Sequence, residues 1–312
     1  MGNQILVSVL MTAYNRQQYI AEAIESVLAS TYECFELIIV DDCSSDNTVA
    51  IAKSFEAKDK RIKVFINEKN LGDYPNRNRA AGYASGKYLK YVDSDDKLFP
   101  DGLGYCVQLM ETFKHADWAM VYPEAISNEF VLDSRAALEW HFFKSPFLKS
   151  GPGGTILKRD FFNNIGMYPV LYGPANDMYF NLHAASLGKV LLLKDIFLFY
   201  RRHDSQEQSN QYSYLYNYNR YLKDALINLN LHLTESQVKW LQQKRKRRFA
   251  VNITRYFLKT KNYRKTREAI VKADFSMKDF LSGIFHFSKV PETFSLTTNT
   301  GSTADKVIIE PN

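Results

Sequence analysis

Tyr88-Leu89-Lys90-Tyr91-Val92-Asp93-Ser94-Asp95-Asp96 places three carboxylates in four residues, directly behind a run that reads as a short, largely buried β-strand. Carboxylates crowded at a strand end repel one another, and holding them there costs stability unless a cation is shared between them. Mg²⁺ or Mn²⁺ takes hard oxygen ligands, commonly one or two carboxylates with a substrate's phosphates completing the shell. The same residues suit an acidic turn capping the next helix, because Asp and Ser favour turns and N-caps. Spacing within the stretch leaves the two readings level, and its neighbours separate them.

Upstream, strands and helices alternate. Ile5 to Met11 is predicted as a strand, and Gln17 to Ala29 as a helix with Ile20, Ala23, Ile24, Val27 and Leu28 on one face. Phe35 to Val40 is a second strand ending in Asp41-Asp42, and Asp46 can cap a helix from Asn47 to Phe55. Arg61 to Ile66 is a third strand, Asn70-Leu71-Gly72 a turn and Asn76 to Ala84 a helix. After the acidic stretch come a helix from Asp101 to Lys114 and a fifth strand, Trp118 to Tyr122. This rhythm predicts an α/β fold with an open, mainly parallel sheet. Ligands of such sheets bind in the crevice outside the carboxyl ends of the strands. Thr12, Tyr14 and Asn15, then Asp41 and Asp42, then Asp93 to Asp96 all fall at those ends, which favours a nucleotide or diphosphate site. No Gly-x-Gly-x-x-Gly follows the first strand and no Walker loop is present, so a dinucleotide site and a P-loop are disfavoured.

Further on, Lys144 to Gly154 reads as a mobile loop broken by Pro and Gly, Thr155 to Lys158 as a strand, and Phe161-Phe162 as part of a short helix. Pro174 opens a helix running to Leu187, and Val190 to Tyr200 is a strand pair or one long strand.

Four stretches in this order resemble family-2 glycosyltransferases of the GT-A fold, over residues 5–205. They are Val7 to Asn15, Phe35 to Thr48, Asn70-Leu71-Gly72 with Arg77-Asn78 and Gly86-Lys87-Tyr88, and Asp93-Ser94-Asp95-Asp96. The resemblance implies an inverting transferase that uses a UDP-sugar with Mn²⁺ or Mg²⁺, working in bacterial-type cell-surface polysaccharide or glycolipid assembly on a glycan or lipid-linked saccharide acceptor. It implies that Asp41 accepts the uracil N3–H, with Thr12, Ala13, Tyr14 and Asn15 around the base. Arg77 would approach the nucleotide, the other reading being a surface helix arginine. Asp93 and Ser94 would lie on the ribose side and Asp95 on the metal, while Asp42 and Asp96 are left to cap or orient, with no assigned chemistry. Inversion needs a carboxylate to take the acceptor hydroxyl's proton. In the family this acid commonly ends a Glu-Asp pair at a helix start. Here Asn176-Asp177 stands in that place, so Asp177 is assigned as the base, against a plain first-turn acid favoured by the helix dipole. Tyr200-Arg201-Arg202-His203 resembles the segment that meets the diphosphate, which makes His203 a candidate metal ligand or phosphate donor. Lys144 to Gly154 is the candidate lid. Two departures are Ala80 where Gly is frequent and Asn76 where Ala is usual.

Composition agrees with an enzyme-sized globular chain. The 312 residues are 46% hydrophobic and 14% aromatic, which excludes a disordered protein. No apolar run is long enough to span a bilayer, no secretion signal is read, and three unpatterned cysteines suit reduced thiols, so a cytoplasmic location is expected. Charge is uneven: residues 1–200 carry 20 basic against 24 acidic side chains, and residues 201–312 carry 20 against 10. Lys239 to Arg267 holds twelve basic residues and no acid. The expected division is a catalytic domain at 1–205, a basic, aromatic helical extension at 206–294, and a polar, poorly ordered tail at 295–312. The basic region, with Trp240, Leu241, Phe249, Ile253, Tyr256 and Phe257 interleaved, suits three fates. It could pack on the catalytic domain, lie peripherally on an anionic inner membrane face, or bind nucleic acid, the least favoured.

Two rival functions stay open. A sugar nucleotidyltransferase would be expected to show a Gly-rich basic loop for a triphosphate, which Leu10 to Arg16 lacks. A non-catalytic sugar-nucleotide binder would not need Asp177.

Overall fold

The computed structural model describes residues 4–201, 211–285 and 290–291. Ten strands and eleven α-helices follow in chain order within them. The first half holds β1 (Val7–Ala13), α1 (Ile20–Leu28), β2 (Phe35–Asp41), α2 (Thr48–Glu56), β3 (Ile62–Ile66), α3 (Asp73–Gly82), β4 (Tyr88–Tyr91), β5 (Lys97–Leu98), α4 (Gly102–Thr112) and β6 (Trp118–Val121). Next come β7 (Phe130–Leu132), α5 (Ser134–Glu139), β8 (Thr155–Lys158), α6 (Arg159–Asn164), α7 (Asn176–Leu187), β9 (Val190–Leu193) and β10 (Leu198–Phe199). The chain closes with α8 (Gln211–Asn228), α9 (Glu235–Thr260), α10 (Tyr263–Lys272) and α11 (Met277–Phe285).

The main sheet runs β3-β2-β1-β4-β8-β6-β9-β7, and β10 pairs with β5 in a separate ribbon. Strands β1 to β4 are parallel, as expected, whereas β8 runs antiparallel to both β4 and β6, and β7 antiparallel to β9. Both faces are covered. Val7, Val9 and Met11 pack with Ile20, Ile24 and Leu103 on one side, while Leu10, Leu89 and Tyr91 pack with Trp118, Phe162 and Phe180 on the other. A sheet buried on both faces explains why its strands read as continuous apolar runs.

Strand order reverses between β1 and β4, and this is the switch point where a crevice opens at the carboxyl ends. The opposite end of the same strands is closed by a buried polar knot. Glu36 accepts from the Ser8 hydroxyl (2.7 Å) and from the Ser85 N–H and hydroxyl (2.7 Å each), and Gly86 N–H donates to Ser8 Oγ at 2.8 Å. A Cβ on Gly86 would lie 2.6 Å from Ser8 N and 2.7 Å from the Leu6 carbonyl, so only glycine fits there.

The helical extension forms as expected. Thr234 and Gln237 make a reciprocal capping box at the start of α9. The two-residue turn after it works by division of labour. Lys261 takes a left-handed conformation (φ 52°), and Asn262 caps α10 by accepting from Lys265 N–H at 2.9 Å. Leu241, Phe249 and Ile253 are buried, so half of the six apolar residues interleaved in the basic region are spent on packing. The expected domain junction at 205/206 and the tail at 295–312 lie outside the described residues. Among the described residues no helix is long and apolar enough to cross a membrane, and all three cysteines are free thiols.

Candidate active site

The crevice is floored by the ends of β1, β2 and β4. At the end of β2, Asp41 is 1% exposed, and its carboxylate accepts from the Ser44 N–H (2.8 Å) and hydroxyl (2.5 Å). Asn15, with φ 52°, donates its N–H to Ser44 Oγ and accepts from Ser45 N–H at 2.9 Å. The residues after β1 and β2 are thereby locked together. Thr12 is half-buried and Ala13 buried, while the Tyr14 ring stands 46% exposed at the rim.

Asp42 holds the neighbouring turn. It accepts from Asn67 Nδ2 (2.7 Å), Leu71 N–H (2.8 Å) and Gly72 N–H (2.9 Å). Asn76 is tied into the same network, accepting from Asn67 at 2.9 Å and donating to the Val40 carbonyl at 3.0 Å. An alanine could do neither.

Arg77 is buried, and its guanidinium is held by two carboxylates. Nε donates to Asp73 at 2.8 Å and a terminal nitrogen donates to Asp93 at 2.6 Å. It is therefore not a surface arginine. Burial opposes its charge, but Asp73 and Asp93 outweigh this and hold its pKa well above the usual value. In return Arg77 overcomes burial at Asp93 and keeps that carboxyl below its ordinary value.

Asp93, Asp95 and Asp96 each place a carboxylate oxygen within 4.8 Å of the others, and buried Ser94 lies between them. Three oxygen ligands at that spacing fit a hard divalent cation. Arg16 Nε donates to Asp95 at 3.2 Å, while Arg201 donates its N–H to Asp96 (3.0 Å) and its Nε to the Asp95 carbonyl (2.9 Å). Burial first, then Asp93, pushes the Asp96 carboxyl up to about 7. His203 lies outside the described residues.

Lys90 sits beneath the acids, fully buried. Its ammonium donates to the Tyr91 and Gly153 carbonyls and stacks 4.6 Å from the centre of the Phe197 ring, and burial lowers its pKa to about 8. This lysine changes the reading of Lys144 to Gly154. Within that stretch, Pro152–Gly154 forms a 3-10 turn with Pro152 and Gly153 buried. The turn is pinned by Lys90 from below and by Asn181, which donates to the Ser150 carbonyl at 2.9 Å. It borders the crevice. A Cβ on Gly151 would lie 3.7 Å from Asp177 Oδ2, and one on Gly153 would lie 3.9 Å from Asp96 Oδ2. One short turn thus touches both Asp177 and the acidic cluster.

Asp177 occupies the first turn of α7, buried, with its carboxylate accepting from Met178 N–H at 2.7 Å. Burial, with Asp73 adding to it, pushes its pKa up to about 7. Asn176 faces away from any such role. It accepts from Tyr172 N–H (2.9 Å) and donates to the Gly173 carbonyl (2.7 Å), so it stitches the turn that delivers Asp177.

Lys90 and Arg16 were missed in the sequence. Lys90 fell inside a strand pattern, where a lysine in an apolar run was the available signal. Arg16 carried none.

An α/β sheet with acids and polar groups gathered at its switch point is the arrangement of a protein that binds its ligand across the carboxyl ends of the strands. The chain belongs to glycosyl transferase family 2, whose model matches residues 8–166. It is similar to TuaG of Bacillus subtilis, named for teichuronic acid biosynthesis, with 34% identity over 148 residues, 40% of this chain and 59% of that one. It is also similar to WfgD of Escherichia coli, a UDP-Glc:alpha-D-GlcNAc-diphosphoundecaprenol beta-1,3-glucosyltransferase, with 37% identity over 130 residues, 40% of this chain and 51% of that one. The matches thus span little more than half the length of these relatives. Among solved structures, S. aureus TarS 1-349 in complex with UDP-GlcNAc superposes with a TM-score of 0.67 over 90% of this chain and 82% of that one. At 20% identity this likeness establishes the shared GT-A fold.

Proposed function

We propose that the protein is an inverting hexosyltransferase, moving a sugar from a UDP-sugar to a hydroxyl of a glycan or lipid-linked saccharide. The observation that carries this is the Gly151–Gly154 turn, which runs past both a buried carboxylate with a pKa near neutrality and an acidic oxygen cluster. Asp177 takes the acceptor hydroxyl's proton as that oxygen attacks the anomeric carbon, on the face opposite the departing diphosphate. A base with a pKa near 7 is matched to this work at neutral pH. Mn²⁺ or Mg²⁺ held by Asp95, with Asp93 and Asp96 beside it, would offset charge on the leaving diphosphate. Tyr14 offers a ring for the base to stack on, Asp41 uses the lone pairs Ser44 leaves to accept the uracil N3–H, and Arg77 orients Asp93 toward the ribose. UDP-sugar use is supported by the substrate in WfgD's name and by the ligand bound to TarS.

In a thermal-shift screen, UDP with Mn²⁺ is expected to stabilise the protein more than UDP alone, and Asp95→Asn is expected to remove most of that increment. Tighter binding of GDP or dTDP than of UDP would overturn the uracil assignment.

Peripheral contact with an anionic inner membrane face is the proposed setting. Its support is the turn between α9 and α10, where Phe257, Leu258 and Tyr263 are exposed among Lys259, Lys261 and Arg264. Liposome flotation should enrich the protein on anionic vesicles, and Leu258→Asp should reduce that enrichment several-fold. Equal recovery with neutral vesicles would count against the proposal.

A further inference from the structure

A second polar feature lies away from the crevice, on the face of α8 that meets α9. A cleft of about 380 Å³ opens there, lined on the α9 side by Arg245, Arg248, Phe249 and Asn252. These residues fall at i, i+3, i+4 and i+7, so they form one stripe along the helix. Tyr214, Leu215, Tyr218, Asn219 and Leu222 of α8 face them, so the opposite wall is largely apolar and aromatic.

Arg245 is the unusual member. It is only 7% exposed, and one terminal nitrogen donates to Asn219 Oδ1 at 2.6 Å. Asn219 is itself oriented by donating to the Ala273 carbonyl at 3.2 Å. The Arg245 Nε–H has no hydrogen-bond partner, and no carboxylate among the described residues lies within ion-pair distance of this guanidinium. The acids whose charge reaches it are committed elsewhere. Asp279 pairs with Lys246 at 2.8 Å, Asp274 pairs with Lys223, and Asp224 accepts from the Tyr172 hydroxyl at 3.0 Å. One helical turn along, the exposed Arg248 guanidinium lies 4.4 Å from the centre of the Tyr218 ring.

A buried cation normally has its charge matched. Two guanidiniums on one stripe, with the Asn252 amide beside them and an aromatic wall, present several donors to a small multivalent anion. We infer that the α8–α9 cleft is a binding site for a phosphate group, carried by a soluble phosphate ester or by a lipid headgroup. The site is distinct from the donor crevice and stands independently of the function proposed above.

The test uses the full chain with the donor crevice saturated by UDP and Mg²⁺. Inorganic phosphate is titrated in by calorimetry at constant ionic strength, alongside flotation on vesicles of phosphatidic acid or of phosphatidylcholine alone. Saturable one-to-one phosphate binding is expected, weakened about tenfold by Arg248→Gln and at least as much by Arg245→Gln, with UDP affinity unchanged. Arg248 is exposed, so its variant remains informative if Arg245→Gln does not fold. Phosphatidic acid binding that needs both arginines, without binding of free phosphate, assigns the group to a headgroup. Absence of both responses, or responses unchanged in both variants, overturns the inference.

Discussion

Asp177→Asn is expected to slow transfer by orders of magnitude and to make the protein more stable. The carboxylate is buried at the first turn of α7, and its pKa of about 7 means that the folded state resists its ionisation. The sign follows from linkage. An acid whose pKa is raised on folding contributes stability below its unfolded value, and loses it as pH rises through the folded value. Between about pH 4 and pH 7 wild type therefore pays an increasing penalty, reaching about 3–4 kcal/mol by pH 8 from the size of the shift. Asn keeps an oxygen for the Met178 N–H and cannot ionise, so Tm should rise by several degrees at pH 8 and hardly at all at pH 4. Transfer should fall by about 10²–10⁴-fold, as expected for loss of a general base. In wild type, kcat/KM should climb with pH to a plateau above about 7. Calorimetry and a pH–rate profile read the two effects separately, and an unchanged transfer rate in the variant would remove Asp177 from the mechanism.

Arg77→Ala has the other large effect, on folding. The guanidinium joins α3 to the end of β4 through Asp73 and Asp93, and it lies 5.9 and 5.8 Å from the centres of the Tyr74 and Tyr91 rings. Removing it leaves Asp93 charged, three-quarters buried and without its main partner. Breaking a fully buried pair costs about 3–5 kcal/mol, so with Asp93 partly exposed and Asp73 54% exposed a loss of about 2–4 kcal/mol is expected. Urea denaturation measures it. Arg77→Lys should recover only part, because a point charge cannot hold both carboxylates as the guanidinium fork does. Adding Asp93→Asn to Arg77→Ala should restore stability without restoring donor binding. An Arg77→Ala variant as stable as wild type would show that Asp93 finds its counter-charge elsewhere.

The parallel half of the fold was legible because each of its signals is local. Strands β1 to β4 are short apolar runs closed by polar residues, and a sheet covered on both faces leaves no other place for them. The carboxyl ends then follow from chain direction alone, which is why the Thr12–Asn15, Asp41 and Asp93–Asp96 groups could be brought together on paper. The middle of the chain was less legible. Three-residue β7 was not read as a strand, and β8, though read as one at Thr155 to Lys158, takes its antiparallel direction only from its neighbours β4 and β6.

The sequence by itself determined the acidic cluster and its position at a strand end, because residue type and chain direction suffice for both, while the candidacy of Asp177 came from the family resemblance at Asn176-Asp177. Only the tertiary structure decided how these groups act on one another. Lys90, hidden in a strand pattern, anchors Gly153. That anchor holds the Gly151–Gly154 turn, whose Gly151 lies next to Asp177 and whose Gly153 lies next to Asp96. Asp42 and Asn76 prove to be braces for the turn at Leu71 and Gly72, and Arg77 the counter-charge of Asp93. Burial and pairing are properties of contacts between residues tens of positions apart, and no local pattern encodes them.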